Sequence, residues 1–174
     1  MLSSSFNKKV GNMKQLIIWV LFTLTSLTNA DPATVIKKSL GLGPEEVQKA
    51  EANLEVVTQL KQAGVFDQKP NFEGDYYHFY YPRKDIKIFG ATLIAFDHEY
   101  LIEYVGCCVN PGVALILKKN ELFDEKEIEG FAKANSCKVK KIHEIYLPDS
   151  VVSELNITKN KSEFVALSCK QSDK

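Results

Sequence analysis

The chain has no surplus of charge of either sign: 22 lysines and arginines stand against 22 aspartates and glutamates. Setting aside the three lysines of the first 30 residues leaves 19 basic against 22 acidic residues, a net charge of −3. That balance gives no electrostatic footprint for nucleic acid or for an anionic lipid surface. No G-x-S-x-G elbow, glycine-rich phosphate loop or H-E-x-x-H pattern occurs, so nothing marks a hydrolase triad, a nucleotide or cofactor site, or a zinc protease. C-x-x-C spacing is missing too, which argues against a zinc site. There are no internal repeats and no low-complexity blocks. The longest apolar run, Leu16–Leu27, has 12 residues, against about 20 needed to cross a bilayer.

What that run does suit is export. Lys8, Lys9 and Lys14 precede it as a positive n-region, and Thr28-Asn29-Ala30 follows it with a small residue at the end. Residues 1–30 therefore read as a signal peptide cut before Asp31, with Met1 or Met13 as the start, and residues 31–174 as a single domain with no membrane anchor after cleavage. The expected location is periplasmic or secreted. In that setting the four cysteines, Cys107, Cys108, Cys137 and Cys169, read as disulfide partners. Adjacent strand residues point to opposite faces, so Cys107 and Cys108 are each expected to bridge to Cys137 or Cys169, and a bond between the two neighbours ranks last. Asn156-Ile157-Thr158 and Asn160-Lys161-Ser162 match the N-glycosylation pattern, which matters only in a eukaryotic secretory route.

The pattern of apolar residues predicts an α+β fold. An antiparallel sheet of five or six strands, beginning with a four-strand meander, carries a long N-terminal helix and a second helix. Val47, Ala50, Leu54, Val57 and Leu60 recur at helical spacing, and Gly64 supplies a stop. Tyr76–Tyr81 reads as an aromatic strand, Ile86–Phe96 as a long strand with a bulge or bend at Gly90, and Tyr100–Lys118 as a hairpin turning at Asn110-Pro111-Gly112. Asp124 followed by Glu127 is a capping box that opens a helix through Ile128, Phe131 and Ala132. Val139–Leu147 and Glu163–Lys170 complete the strands, and the tail from Gln171 is expected to fray. The lysines at 138, 140 and 141 suit a protected strand edge. A helix followed by a meander resembles cystatin-like and NTF2-like outlines in architecture alone. The cystatin inhibitory pattern Q-x-V-x-G is absent, since Glu103-Tyr104-Val105-Gly106 lacks the glutamine and the spacing.

Candidate chemistry clusters at the histidines. Asp97-His98-Glu99, read as a turn, places a histidine between two carboxylates and would serve as a base with its orienting acid or as half of a metal site. His78 and His143 fall in expected strands. Tyr76, His78 and Tyr80 would share one strand face as an aromatic platform for a peptide or glycan, unless they fill the core. A thiolate at Cys107 or Cys108 with His98 is the other catalytic arrangement, and oxidised cysteines would remove it. These features favour an exported, disulfide-stapled binding protein that docks a protein partner as an inhibitor or immunity protein does, without a cofactor. The alternatives are a small exported hydrolase or metal-dependent enzyme using Asp97, His98 and Glu99, and an envelope assembly or adhesion component joined at a sheet edge.

Overall fold

A computed structural model describes residues 31–40, 46–100, 110–157 and 161–173. The signal-peptide reading of residues 1–30, the strand expected over 101–109 with Cys107 and Cys108, and the sequon asparagine Asn160 all lie outside the described residues. The fold is α+β, as the apolar periodicity predicts. Four α-helices are present among the described residues, α1 (Pro32–Leu40), α2 (Glu46–Gln62), α3 (Glu125–Ala134) and α4 (Asp149–Glu154). They accompany seven antiparallel strands: β1 (Phe72–Glu73), β2 (Tyr77–Tyr80), β3 (Lys87–Ile88), β4 (Ala91–Glu99), β5 (Gly112–Lys118), β6 (Lys138–Lys141) and β7 (Phe164–Ser168). The strand order is β1-β2-β4-β5-β7-β6, with β3 paired to β4 off this path.

The sheet is covered on both faces, as its doubly apolar strands require. The first face packs Leu93, Phe96, Leu115, Leu117 and Leu167 against Ile36, Val57, Leu60 and Ile128 of the first three helices. The second face packs Phe79, Ala95, Ile116 and Ala166 against Ile142 and against Val151 of α4. Of the stripe expected on α2, Val57 and Leu60 are in the core and Leu54 is 58% exposed, while the side chains of Val47 and Ala50 lie outside the described residues. Helix α3 starts where the capping box predicts, with the Glu127 N–H donating to Asp124 Oδ1 at 2.9 Å, and Lys37 of α1 pairs with its Glu127 at 2.9 Å.

Three departures from the sequence reading matter for the site. The long strand over Ile86–Phe96 is broken, because Phe89 and Gly90 both take positive φ (54° and 71°) and form a two-residue hairpin turn between β3 and β4. A Cβ at Gly90 would collide with the Leu122 carbonyl oxygen. The bulge lies further on, between Leu93 and Ala95, so Leu93 and Phe96 share the first face while Ile94 and Ala95 share the second. Strand β4 then continues to Glu99, which pairs with Gly112; Asp97-His98-Glu99 is buried strand, not an exposed turn.

At the C-terminal end, β7 is an interior strand, so the terminal strand offers no free edge. The edge is β6, the lysine-rich segment. It is shorter than the strand expected over Val139–Leu147, since Ile142–Glu144 is a 3-10 turn that leaves His143 exposed. The tail beyond β7 is tied down: the Gln171 N–H donates to the Pro111 carbonyl at 3.0 Å and the Ser172 N–H to Asn110 Oδ1 at 2.7 Å.

Candidate functional site

Period-two alternation, reset by the bulge at Ile94, determines which side chains meet. The register places His98 opposite His78, and Asp97 between Phe79 of β2 and Ala114 of β5, which in turn faces Ser168 of β7. Asp97 and Glu99 therefore look to the second face with Phe79, while His98 looks to the first. The acid–base arrangement expected of Asp97, His98 and Glu99 is not assembled, because one residue along a strand is one face of a sheet.

What the second face assembles instead is a buried ion cluster (Asp97, Glu99, Lys170). Lys170 Nζ lies 2.6 Å from Asp97 Oδ2 and 3.1 Å from Glu99 Oε2. Its side chain is 15% exposed, and those of Asp97 and Glu99 are at or below half that. The other oxygen of Glu99 accepts the Asn110 N–H at 2.5 Å, so both of its oxygens are engaged. Asp97 Oδ1, although buried, has no hydrogen-bond partner among the described residues.

Burial pushes the Asp97 carboxyl above its ordinary range; Lys170 pulls it back only in part, and Glu99 adds to the rise. Burial also disfavours the Lys170 ammonium, but the Asp97 and Glu99 carboxylates outweigh it and the lysine ends above its usual value. The two directions fit one picture: with two carboxylates sharing one ammonium, the lysine holds its proton firmly and Asp97 is the group short of positive charge.

Two backbone features hold Lys170 in place. Cys169 buries its sulfur in the first-face core, bonded to Cys137 just beyond α3, which directs its neighbour Lys170 to the second face. Gly112, at φ 136°, lets the chain come close, since a Cβ there would lie 2.8 Å from Lys170 Cα. The Cys137–Cys169 bridge overturns the expected pairings of Cys107 and Cys108 with these two cysteines. The register explains it: β7 runs between β5 and β6, so Cys169 leaves the sheet beside the start of β6, within bonding distance of Cys137.

Above the cluster is a cavity of about 310 Å³. Asp97, Ala114 and Lys170 contribute to its floor, and Tyr76, Tyr77 and Tyr146 to its walls. The Tyr77 ring meets Tyr76 at 5.2 Å and Tyr146 at 6.2 Å between centroids. Burial first, and then the Tyr146 hydroxyl, push the Tyr77 phenol up to about 12. Tyr146 itself is 76% exposed.

The first face holds the remaining candidates. His98 is buried with Nε2 unpartnered among the described residues, and burial followed by His78, Lys170 and Lys61 lowers its pKa to about 4. His78 stacks on Tyr100 at 4.6 Å and lies 3.6 Å from Glu73 Oε1. Tyr80 is 3% exposed and stacks on Phe66 in the core, so the face expected of Tyr76, His78 and Tyr80 is packing surface rather than an open platform. Tyr76 lines the cavity instead. Among the described residues no three His, Cys, Asp or Glu side chains converge as a metal site, and no helix is long and apolar enough to cross a membrane.

Lys170 is the residue that sequence reasoning missed. Two signals pointed to it: it continues the Ala166, Ser168 alternation onto the second face, and it directly follows a cysteine held in the core. Comparison with family models, with curated proteins and with solved structures gives no match for this chain.

Proposed function

We propose that the chain is a small exported binding protein, periplasmic or secreted, released from a signal peptide over residues 1–30 and docking a protein partner at the cavity on the second sheet face. The observation that carries this reading is the preformed hollow itself, floored by a buried ion cluster and rimmed by the exposed Tyr146. Its volume lies at the low end of ligand sites, which run from about 300 to 1,000 Å³, and suits one inserted side chain or a small molecule. An exposed tyrosine beside a pocket is a common interface anchor, because it brings large contact area at small entropic cost. The Cys137–Cys169 bridge is compatible with an oxidising, extracytoplasmic location.

The test is recovery of a partner from the exported fraction of the native source. Wild type is expected to retain one protein at constant stoichiometry, and Tyr146→Ala to lose it. Tyr146 is exposed, so its truncation leaves the core packed. Equal recovery by both proteins, or recovery by neither, would defeat the reading.

One observation favours a second, catalytic reading: a cavity carboxyl held above its ordinary range is typical of acid–base groups. An exported hydrolase would then work through Asp97 and Glu99, without His98. A hydrolysis screen comparing wild type with Asp97→Asn decides it; activity that the variant keeps, or none in either protein, rules it out.

A further inference from the structure

We infer that the cavity takes a primary ammonium group on a slender aliphatic chain, an inference that rests on the reading of this cavity as a binding site. Hydrogen-bond accounting leads there. Glu99 uses both oxygens, on Lys170 and on the Asn110 N–H, and Asp97 uses Oδ2 on Lys170. The buried acceptor left over is Asp97 Oδ1, on a residue only 4% exposed. A buried acceptor without a donor is costly, so a ligand that supplies an N–H gains more there than at a solvated carboxylate.

Charge narrows the class. One ammonium sits between two carboxylates, so the cluster is one positive charge short. The lining as a whole has the same balance, with Asp97, Glu99 and Glu144 against Lys140 and Lys170. An anion would meet a net negative floor. A neutral alcohol would satisfy Oδ1 and leave the charge unbalanced. A quaternary ammonium would balance the charge and leave Oδ1 without a hydrogen. A primary ammonium does both, and the Tyr76, Tyr77 and Tyr146 rings offer it π faces on the way in.

Such a group would come from a lysine side chain of a protein partner or from a free amine. The test titrates the full-length purified protein with pentylammonium, 1-pentanol and tetramethylammonium, reading the backbone amide resonances of Asp97, Ala114 and Tyr146. Pentylammonium is expected to shift all three saturably, with the other two probes at least tenfold weaker. Asp97→Asn, which removes the charge but leaves Lys170 paired with Glu99, is expected to weaken pentylammonium at least tenfold. Nα-acetyl-lysine methylamide separates the sources: binding as tight as pentylammonium assigns the site to a partner's lysine, and exclusion assigns it to a free amine.

Equal binding of 1-pentanol or tetramethylammonium overturns the inference. So does an Asp97→Asn protein that binds undiminished, or the lack of any response to pentylammonium. Should Asp97→Asn not fold, the three-probe comparison on wild type decides alone. Partner recovery that depends on Tyr146 without ammonium binding removes this inference and keeps the docking reading. Ammonium binding without any protein partner does the reverse.

Discussion

Removing the Lys170 ammonium is the sharpest probe of the ion cluster. Lys170→Met keeps most of the aliphatic stem and its packing while leaving Asp97 and Glu99 as two buried carboxylates with no cation between them. Breaking a buried pair by deleting one partner costs about 3–5 kcal/mol. Against a total stability of about 5–15 kcal/mol, that is a loss large enough to read from urea unfolding at pH 7.5 without ambiguity. It should lower the melting temperature by roughly 8–15 °C in a domain of this size.

The sign of the pH dependence separates electrostatics from lost packing. In wild type the Asp97 carboxyl is already raised by burial, and Lys170 is the group that pulls it down. Without Lys170 the folded-state value rises further above the unfolded one. Between the unfolded and the folded value the folded variant binds more protons than its unfolded chain, so stability rises as pH falls through the folded value toward the unfolded one. The gap between wild type and Lys170→Met should therefore narrow between pH 7.5 and pH 5.5. His98 moves in the same direction, because Lys170 is one of the groups that lowers it, so in the variant less stability is lost through His98 as pH falls. Adding Asp97→Asn to Lys170→Met should restore at least half of the loss at pH 7.5, since one buried carboxylate remains instead of two. A loss under about 1 kcal/mol, well below the range for a broken buried pair, or a gap of equal size at both pH values, would show that the cluster does not hold the site together.

The other expected outcomes concern sulfur and the first face. Removing the Cys137–Cys169 bridge as a double alanine variant should cost about 3–4 kcal/mol in the chain-entropy model for a separation of 32 residues, measured by denaturant unfolding. Mass mapping of unreduced protein should recover these two cysteines in one linked pair, and a peptide joining Cys107 or Cys108 to either of them would contradict the fold. His98, with its pKa lowered to about 4 when folded and about 6.5 when unfolded, binds fewer protons in the folded state. Its contribution is therefore whole above pH 6.5 and is lost as pH falls through that window, by about 3 kcal/mol at pH 4. Asp97 titrates in the opposite sense, so the comparison is between wild type and His98→Leu; identical acid dependence in the two would refute it.

Elements specified by local chemistry were legible in the sequence. The α3 start needed only Asp124 and Glu127 three residues apart, and the structure shows that hydrogen bond. The lysine-rich edge at β6 followed from the need to protect unpaired strand backbone. Elements whose position depends on partners distant in sequence were not. Leu54 fits a helical stripe, yet it is exposed, because burial on α2 is set by what lies opposite and not by spacing. Tyr80 looked like part of a platform until Phe66, fourteen positions earlier in the chain, stacked against it.

The site itself turns on a single step of strand phase. Reading Asp97-His98-Glu99 as a turn makes three neighbours into one constellation; reading it as strand splits them, two to one face and one to the other. The bulge at Ile94 then decides which face each receives, and nothing in the composition of Leu93-Ile94-Ala95 announces it, since all three are apolar and any of them could be the extra residue. The same parity rule operates from the other end of the chain, where the sulfur of Cys169, bonded within the first-face core, sends Lys170 to the second face. Two independent phase choices, at Ile94 and at Cys169, thus bring Lys170 onto two carboxylates, one of them Glu99, 71 residues earlier. The disulfide is the more exacting of the two, because it sets the orientation of the lysine that both carboxylates share.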